Sequence, residues 1–146
     1  MALSITEAEV DEKDEIEKHK PDTVIGVGGG SVLDAVKVMR MLALSDVQIE
    51  DLDCPFLDFR KRIVQYPKID TSKMKLIAIP TTSGTGSEVS PFSVINFPGR
   101  KVSLIDDCLV PDAAILDPEL TIDLSAHLTA ATGMDALTHA MEAGLS

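Results

Sequence analysis

Three glycines and a serine, Gly28–Ser31, are the first residues in the chain whose types and spacing could do chemistry. They follow an apolar run, Thr23–Val27, that predicts a strand buried on both faces of a parallel sheet. A helical pattern begins directly after them, so they lie between a strand and a helix N-terminus. Glycines there let the backbone approach a ligand, and the helix offers unpaired N–H groups to an anion. The spacing differs from GxGxxG, so we predict a phosphate site, with a tight structural turn as the alternative.

A loop rich in hydroxyl groups, Thr81–Glu88, is the second candidate. It holds three threonines, two serines and two glycines, and it follows Lys75–Ile79, which predicts another buried strand. Open α/β sheets bind ligands at the carboxyl ends of their strands. Hydroxyl and backbone N–H groups at that edge can cradle a phosphate or a ribose. An ordinary surface loop remains an equal alternative on this stretch alone.

A carboxylate and an imidazole, Asp135 and His139, form the third candidate because they stand four residues apart in a helical pattern. At that spacing both side chains project from one helix face and can reach the same divalent cation. The alternative is a hydrogen bond on a helix surface. Two ligands also cannot complete a metal site, which needs three or four.

The elements that must position these groups follow from apolar periodicity. Six apolar residues fall on one face of the first predicted helix: Val32, Ala35, Val36, Met39, Leu42 and Ala43. Val89–Ile95 and Lys101–Ile105 predict a hairpin, and Ala113–Leu116 predicts a short strand. From Leu120 onward, alanines, leucines and methionines at helical spacing predict a second, helical region. Two residues are its candidate caps: Ser125 and Thr129.

Composition limits the classes of function. The chain has 146 residues, enough for one domain with a core, and its net charge of −11 disfavours a nucleic-acid partner. No apolar run reaches membrane-spanning length and no signal peptide is visible, so we expect no membrane partner. The two cysteines, Cys54 and Cys108, form no metal or redox motif, which favours a cytoplasmic protein.

Taken together, the candidate stretches resemble the iron-containing (group III) alcohol dehydrogenase family. The resemblance lies in Gly28–Ser31 with Asp34 and Lys37, then in Thr81–Glu88, and then in Gly133–Ala140. It runs from about Pro21 to the end of the chain, with the family's order and spacing of motifs.

A second segment, Phe56–Arg62, further resembles the alcohol dehydrogenase half of bifunctional aldehyde–alcohol dehydrogenases. The resemblance implies an incomplete Rossmann-like α/β domain over residues 1–119 that binds NAD, followed at 120–146 by the start of an all-helical metal-binding domain. The implied activity is hydride transfer between NAD and a small primary alcohol or aldehyde, helped by Fe²⁺ or Zn²⁺. It also implies a homo-oligomer for the full-length family.

The resemblance assigns roles to individual residues. Gly29, Gly30 and Ser31 would lie under the cofactor pyrophosphate, and Asp34, the implied catalytic residue, near the nicotinamide and substrate. The other implied cofactor contacts are Thr81, Thr82, Thr85, Ser90 and Lys101. The implied metal ligands are Asp135 and His139.

The chain also departs from the family pattern. The opening strand–helix unit, with the loop that selects NAD or NADP, is missing, and so are the two later histidines of the metal site. We therefore expect an internal piece of a longer protein. Two alternatives stay open: an inert remnant that at most binds a nucleotide or a partner subunit, and an unrelated α/β phosphate-binding module.

Overall fold

The structure, a computed structural model, describes Ile16 and residues 18–47, 69–97 and 100–145. Its strands and helices are β1 (Thr23–Gly28), α1 (Gly30–Ala43), β2 (Lys75–Pro80), β3 (Phe92–Phe97), β4 (Arg100–Ile105), β5 (Ala113–Ala114) and α2 (Ala126–Leu145). The segment Phe56–Arg62, to which the narrower resemblance applies, lies outside the described residues.

A parallel sheet of three strands, in the order β1-β2-β5, forms one layer. β1 and β2 pair from Thr23 opposite Lys75 to Gly28 opposite Pro80, so both strands end at the same edge. This confirms the predicted α/β class with parallel strands. Because the strands end together, the glycine turn and the hydroxyl-rich loop leave the sheet side by side.

Helix α1 is covered on two sides, by the parallel sheet and by an antiparallel pair formed by β3 and β4. The predicted apolar face turns toward β1, where Val36 lies next to Gly26, but Val36 is only partly buried. The buried residues of α1 are Leu33, Lys37, Val38, Arg40, Met41 and Leu42. Leu42 is the one member of the predicted face among them, and burial extends beyond that face because the helix packs between two layers.

The hydrophobic core lies between α1 and the β3–β4 pair. Its buried members are Val38, Met41, Leu42, Ile95, Val102, Leu104, Cys108 and Leu109. Strand β3 begins at Phe92 rather than at the predicted Val89, because Ser87–Val89 forms a turn of 3₁₀ helix. The predicted hairpin is otherwise confirmed, and its connecting residues 98 and 99 lie outside the described part of the chain.

Among the residues that the structure describes, no helix covers the face of the parallel sheet opposite α1. Ile25 and Val27 of β1 are 57% and 53% exposed, and beyond β5 Ile115 and Leu116 are 50% and 67% exposed. The prediction that β1 is buried on both faces was therefore wrong. A parallel sheet is usually covered on both faces, and here α1 covers one of them.

A buried cation, Arg40, fastens the segment before β5 to α1. Its guanidinium donates to the carboxylate of Asp112 at 2.7 Å and to the carbonyl oxygens of Cys108 and Val110. Asp112 also accepts hydrogen bonds from Lys75 Nζ and from a backbone N–H of β2. This network fixes the segment that leads into the third parallel strand.

Helix α2 begins after Ser125, whose hydroxyl oxygen accepts a hydrogen bond from the backbone N–H of Leu128. That confirms Ser125 as a cap, whereas Thr129 lies within the helix and donates to the carbonyl oxygen of Ser125. None of the residues of α2 that the structure describes is buried. No described helix is both long and apolar enough to cross a membrane. The division into domains at residues 119 and 120 stays a prediction.

Candidate functional site

A cleft of about 770 Å³ opens where β1 and β2 end. Its lining residues come from α1, the loop after β2, the β3–β4 pair and α2: Gly30, Ser31, Asp34, Gly84, Thr85, Gly86, Ser87, Ser90, Phe92, Val94, Asn96, Lys101, Asp135 and His139. The predicted site residues therefore meet in one place, with three exceptions. Gly29, Thr81 and Thr82 stand beside the cleft rather than in its lining, and Gly29 lies close to Thr82.

The N-terminus of α1 forms one wall of the cleft. Gly29 caps the helix without a side-chain hydrogen bond, so no capping side chain covers the first backbone N–H groups. Ser31, in the first turn, is exposed on the cleft. The positive end of the helix dipole adds to the attraction that this wall offers an anion.

The glycines of the first turn serve close packing rather than unusual backbone angles. A Cβ on Gly28 would come within 2.7 Å of Val32, and one on Gly30 would come equally close to Thr85. The described glycines with positive φ are instead Gly84 and Gly86. Gly28 and Gly30 therefore allow close packing of the glycine turn against neighbouring side chains, and the close approach of this backbone to a ligand stays a prediction.

Gly84 brings the hydroxyl-rich loop against α2. Its φ is +147°, and a Cβ there would lie 2.1 Å from the carbonyl oxygen of Thr132. Thr132 lies one turn before Asp135 on the same helix. The loop that follows β2 thus sets how near α2 comes to the glycine turn.

The carboxylate of Asp34 lies in the middle of the cleft wall and is bound on both oxygens. Oδ1 accepts a hydrogen bond of 2.6 Å from the Ser87 hydroxyl, and Oδ2 accepts one of 2.9 Å from the Val94 backbone N–H. The ammonium of Lys37 lies 3.8 Å from Oδ1. Asp34 therefore joins α1 to the loop after β2 and to β3.

Lys37 is fully buried, and its ammonium donates to the carbonyl oxygens of Ser90 and Phe92 at 3.1 and 2.7 Å. Burial lowers the pKa of Lys37, because the charged form loses hydration, and the nearby carboxylates of Asp34 and Glu88 partly offset this. The sequence had identified Lys37 only as part of a family motif, without a role.

Asp135 and His139 lie on the α2 side of the cleft, with His139 Nε2 3.6 Å from Asp135 Oδ1. Two ligand atoms on one tetrahedral zinc-sized ion stand about 3.4 Å apart, so the spacing suits a shared cation. The His139 side chain is largely exposed, and the Asp135 side chain is about half-buried. Within the described ranges, no group of three or more His, Cys, Asp and Glu side chains is placed to hold a metal ion. The pair thus fits as part of a metal site.

Several cleft residues escaped the sequence analysis. Phe92 and Val94 are exposed on the cleft while the intervening Ser93 is buried, so they form an apolar strip along one face of β3. Their alternation was the available signal, but it also fits a strand with one solvated face. Asn96, which lines the cleft further along β3, continues the same alternation.

The fold is that of an α/β protein with a parallel sheet, and its cleft lies at the carboxyl ends of the strands, where open α/β sheets bind their ligands. The sequence model of the family described as iron-containing alcohol dehydrogenase matches residues 5–118, and the chain belongs to that family. Members of the family are oxidoreductases.

Individual relatives agree with this assignment. The bifunctional aldehyde-alcohol dehydrogenase of Escherichia coli K12 is 48% identical over 130 residues, which cover 87% of this chain and 14% of the relative. An iron-containing alcohol dehydrogenase from Thermococcus thioreducens superposes with a TM-score of 0.75 at 30% identity, over 92% of this chain and 34% of the other. Sulfoacetaldehyde reductase from Bifidobacterium kashiwanohense, solved in complex with NAD⁺, superposes with a TM-score of 0.72 at 33% identity, over 87% and 32%. The chain thus spans between 14% and 34% of the length of these relatives.

Proposed function

We propose that the cleft binds NAD and belongs to an alcohol dehydrogenase or aldehyde reductase that transfers hydride between the nicotinamide and a small primary alcohol or aldehyde. The observation that carries the proposal is the meeting of three motifs in one cleft: the glycine turn, the hydroxyl-rich loop and the Asp135–His139 pair. The sulfoacetaldehyde reductase to which the chain is similar was solved with NAD⁺, which supports the choice of cofactor.

In this proposal the pyrophosphate lies against Gly29, Gly30 and Ser31, where the backbone N–H groups and the helix dipole attract its charge. Thr81, Thr82 and Thr85 border the cofactor, and Ser90 and Lys101 contact its ribose side. Asp34 lies near the nicotinamide, held by its bonds to Ser87 and Val94.

The Asp135 carboxylate and the His139 imidazole would hold an iron or zinc ion, together with ligands from outside the described residues. A bound cation of this kind supplies Lewis-acid polarisation of an alcohol or aldehyde oxygen. The contribution of α2 is to place both side chains in the lining of the cleft that Ser31 and Asp34 also line.

NADH binding, the cofactor half of the proposal, is tested by introducing a negative charge into the cleft. We expect Ser31→Asp to abolish the rise in NADH fluorescence on binding, because a carboxylate there repels the pyrophosphate. The same change places an acid at a helix N-terminus and should stabilise the fold by roughly 0.3–1 kcal/mol. Opposite effects on binding and on stability therefore separate repulsion from unfolding.

The matched control is Ser31→Asn, which has the shape of aspartate without its charge. It should keep most of the NADH affinity. Equal affinity of the Asp and Asn variants would remove Ser31 from the cofactor site. Gly30→Asp would be less informative, because any Cβ there already meets Thr85 at 2.7 Å.

The metal half is tested in a chimera in which this chain replaces the matching 130 residues of the Escherichia coli relative. We expect the chimera to oxidise alcohol with NAD, and His139→Ala in it to lose turnover and bound metal while keeping NADH affinity. The reason is that the imidazole serves the cation whereas the glycine turn serves the cofactor. An active His139→Ala chimera with its metal content unchanged would contradict the assignment.

A second candidate is a polypeptide that binds a nucleotide without turnover. The observation that favours it is the two-residue ligand pair on a helix with no buried residue in its described part. The chimera distinguishes the two candidates: bound metal with turnover supports the first, whereas NADH binding without tight metal and without turnover supports the second.

A further inference from the structure

The outer edge of β3 is bordered by a helix instead of a strand. In the described sheet of two strands, β3 pairs with β4 on one side, and its other edge faces α1. At that edge the Phe92 carbonyl oxygen accepts a hydrogen bond from Lys37 Nζ, and the Val94 N–H donates to Asp34 Oδ2. A neighbouring strand would offer the same pair of groups, one donor and one acceptor.

The two side chains that take the place of a neighbouring strand also contact each other. Asp34 and Lys37 stand three residues apart on α1, and their charged atoms lie 3.8 Å apart. A third bond, from the buried Ser93 hydroxyl to the carbonyl oxygen of Asp34, ties the same turn of helix to β3. The length of β3 so held carries Phe92 and Val94, which form a wall of the cleft.

We propose that Lys37 is a positioning residue of the cleft: with Asp34 it forms a strand-mimicking clamp that fixes the register and position of β3, and so the place of the Phe92–Val94 wall. Lys37 is fully buried and its ammonium lies against main-chain oxygens, so it acts through β3. The effect of the clamp on the position of β3 stands without the proposed function, whereas its effect on cofactor affinity rests on it.

Amide hydrogen exchange of the whole chain tests the clamp without any ligand. In Lys37→Met, which keeps an unbranched apolar stem, exchange at the Val94 amide should rise by about tenfold or more relative to β1 and β2, because a charged hydrogen-bond network is lost. Ser87→Ala removes the hydroxyl that braces Asp34 Oδ1 and should raise exchange at the same amide with less effect on folding. It serves as the second variant if Lys37→Met does not fold.

Arg40→Met is the matched control. Arg40 is also a buried cation of α1 that binds main-chain oxygens, but those of Cys108 and Val110, which lie outside the cleft lining. Its loss should raise exchange near residue 110 and leave the ratio of Val94 to β1 protection unchanged. A uniform rise in exchange in both the Lys37 and Arg40 variants would overturn the proposal, because Lys37 would then be a general contributor to stability.

A parallel NADH titration separates the clamp from the function. When folded protein is compared at equal unfolding free energy, Lys37→Met should bind NADH at least about threefold more weakly, since fewer molecules hold the wall in place. Arg40→Met should bind it as the unaltered chain does. Selective loss of Val94 protection with no NADH binding by the unaltered chain would support the clamp and contradict the proposed function. If Lys37→Met loses protection at Val94 selectively but binds NADH with unchanged affinity, the role of Lys37 in the cofactor cleft would be overturned.

Discussion

At the scale of single residues, helix α1 carries two cationic side chains that are fully buried. Lys37 and Arg40 are among the largest fully buried side chains described, and each ends on main-chain oxygens of another segment. The sequence marks Lys37 only as part of a family motif and gives no signal for Arg40. Their partners lie more than 50 positions away, so no local pattern could have predicted their burial.

The buried thiol of Cys108 gives a prediction at the same scale. Burial, with the nearby Asp106 carboxylate, raises the pKa of Cys108 from 9.0 to about 12. The folded protein should therefore leave Cys108 unalkylated by iodoacetamide at pH 8, since the thiolate is the reactive form. Peptide mass spectrometry before and after urea denaturation measures the alkylated fraction of Cys108. Rapid labelling of Cys108 in the folded state would contradict the prediction.

The same pKa shift has a consequence for stability. Between pH 9 and about 12 the unfolded thiol has lost its proton while the folded one keeps it. The folded state then binds more protons than the unfolded state, so this group lowers the free energy of unfolding as pH rises through that window. Below pH 9 its contribution is constant.

At the scale of elements, the contact between the loop after β2 and helix α2 predicts a large difference between two glycines. Gly84→Ala should cost about 2 kcal/mol or more, because it adds backbone strain to a collision with the Thr132 carbonyl. Gly86→Ala should cost roughly 1 kcal/mol, since Gly86 has positive φ but open space around it. Urea unfolding of both variants measures the difference, and equal values would mean that α2 yields freely.

The sequence predicts those features of the fold and the cleft that neighbouring residues determine, and it misses those that depend on contacts between distant segments. Apolar runs ending in glycine and hydroxyl-rich turns were enough for the two parallel strands and for most of the cleft, including Ser31 and Thr85. Periodicity marked one apolar stripe on α1, whereas burial extends beyond that stripe because the helix packs against two layers. The contact of Gly84 with Thr132 and the bonds of Asp34 to β3 arise from tertiary packing, which residue spacing does not encode.

At the scale of the whole molecule, the open sheet face predicts self-association. Ile25, Val27, Ile115 and Leu116 form exposed apolar surface around the parallel sheet, and each such side chain contributes about 1.5–3 kcal/mol when fully buried. Light scattering after size exclusion should show mass rising with concentration. Val27→Thr should reduce the rise, as threonine keeps the strand's branched shape with a polar group.

The control for association is Ile122→Thr, which changes another highly exposed aliphatic residue outside the parallel strands. It should leave association unchanged. A constant monomer mass for the unaltered chain at all concentrations would show that the sheet face does not drive contact between copies.

The sequence separation between the α1 cations and their partners also has a consequence during translation. Arg40 and its partner Asp112 are 72 positions apart. At translation rates of about 5–20 residues per second, the carboxylate is synthesised some 4–14 s after the guanidinium. During that interval the Asp112 carboxylate is absent from the nascent chain. The ion pair that joins α1 to the segment before β5 therefore forms only after residue 112 has been synthesised.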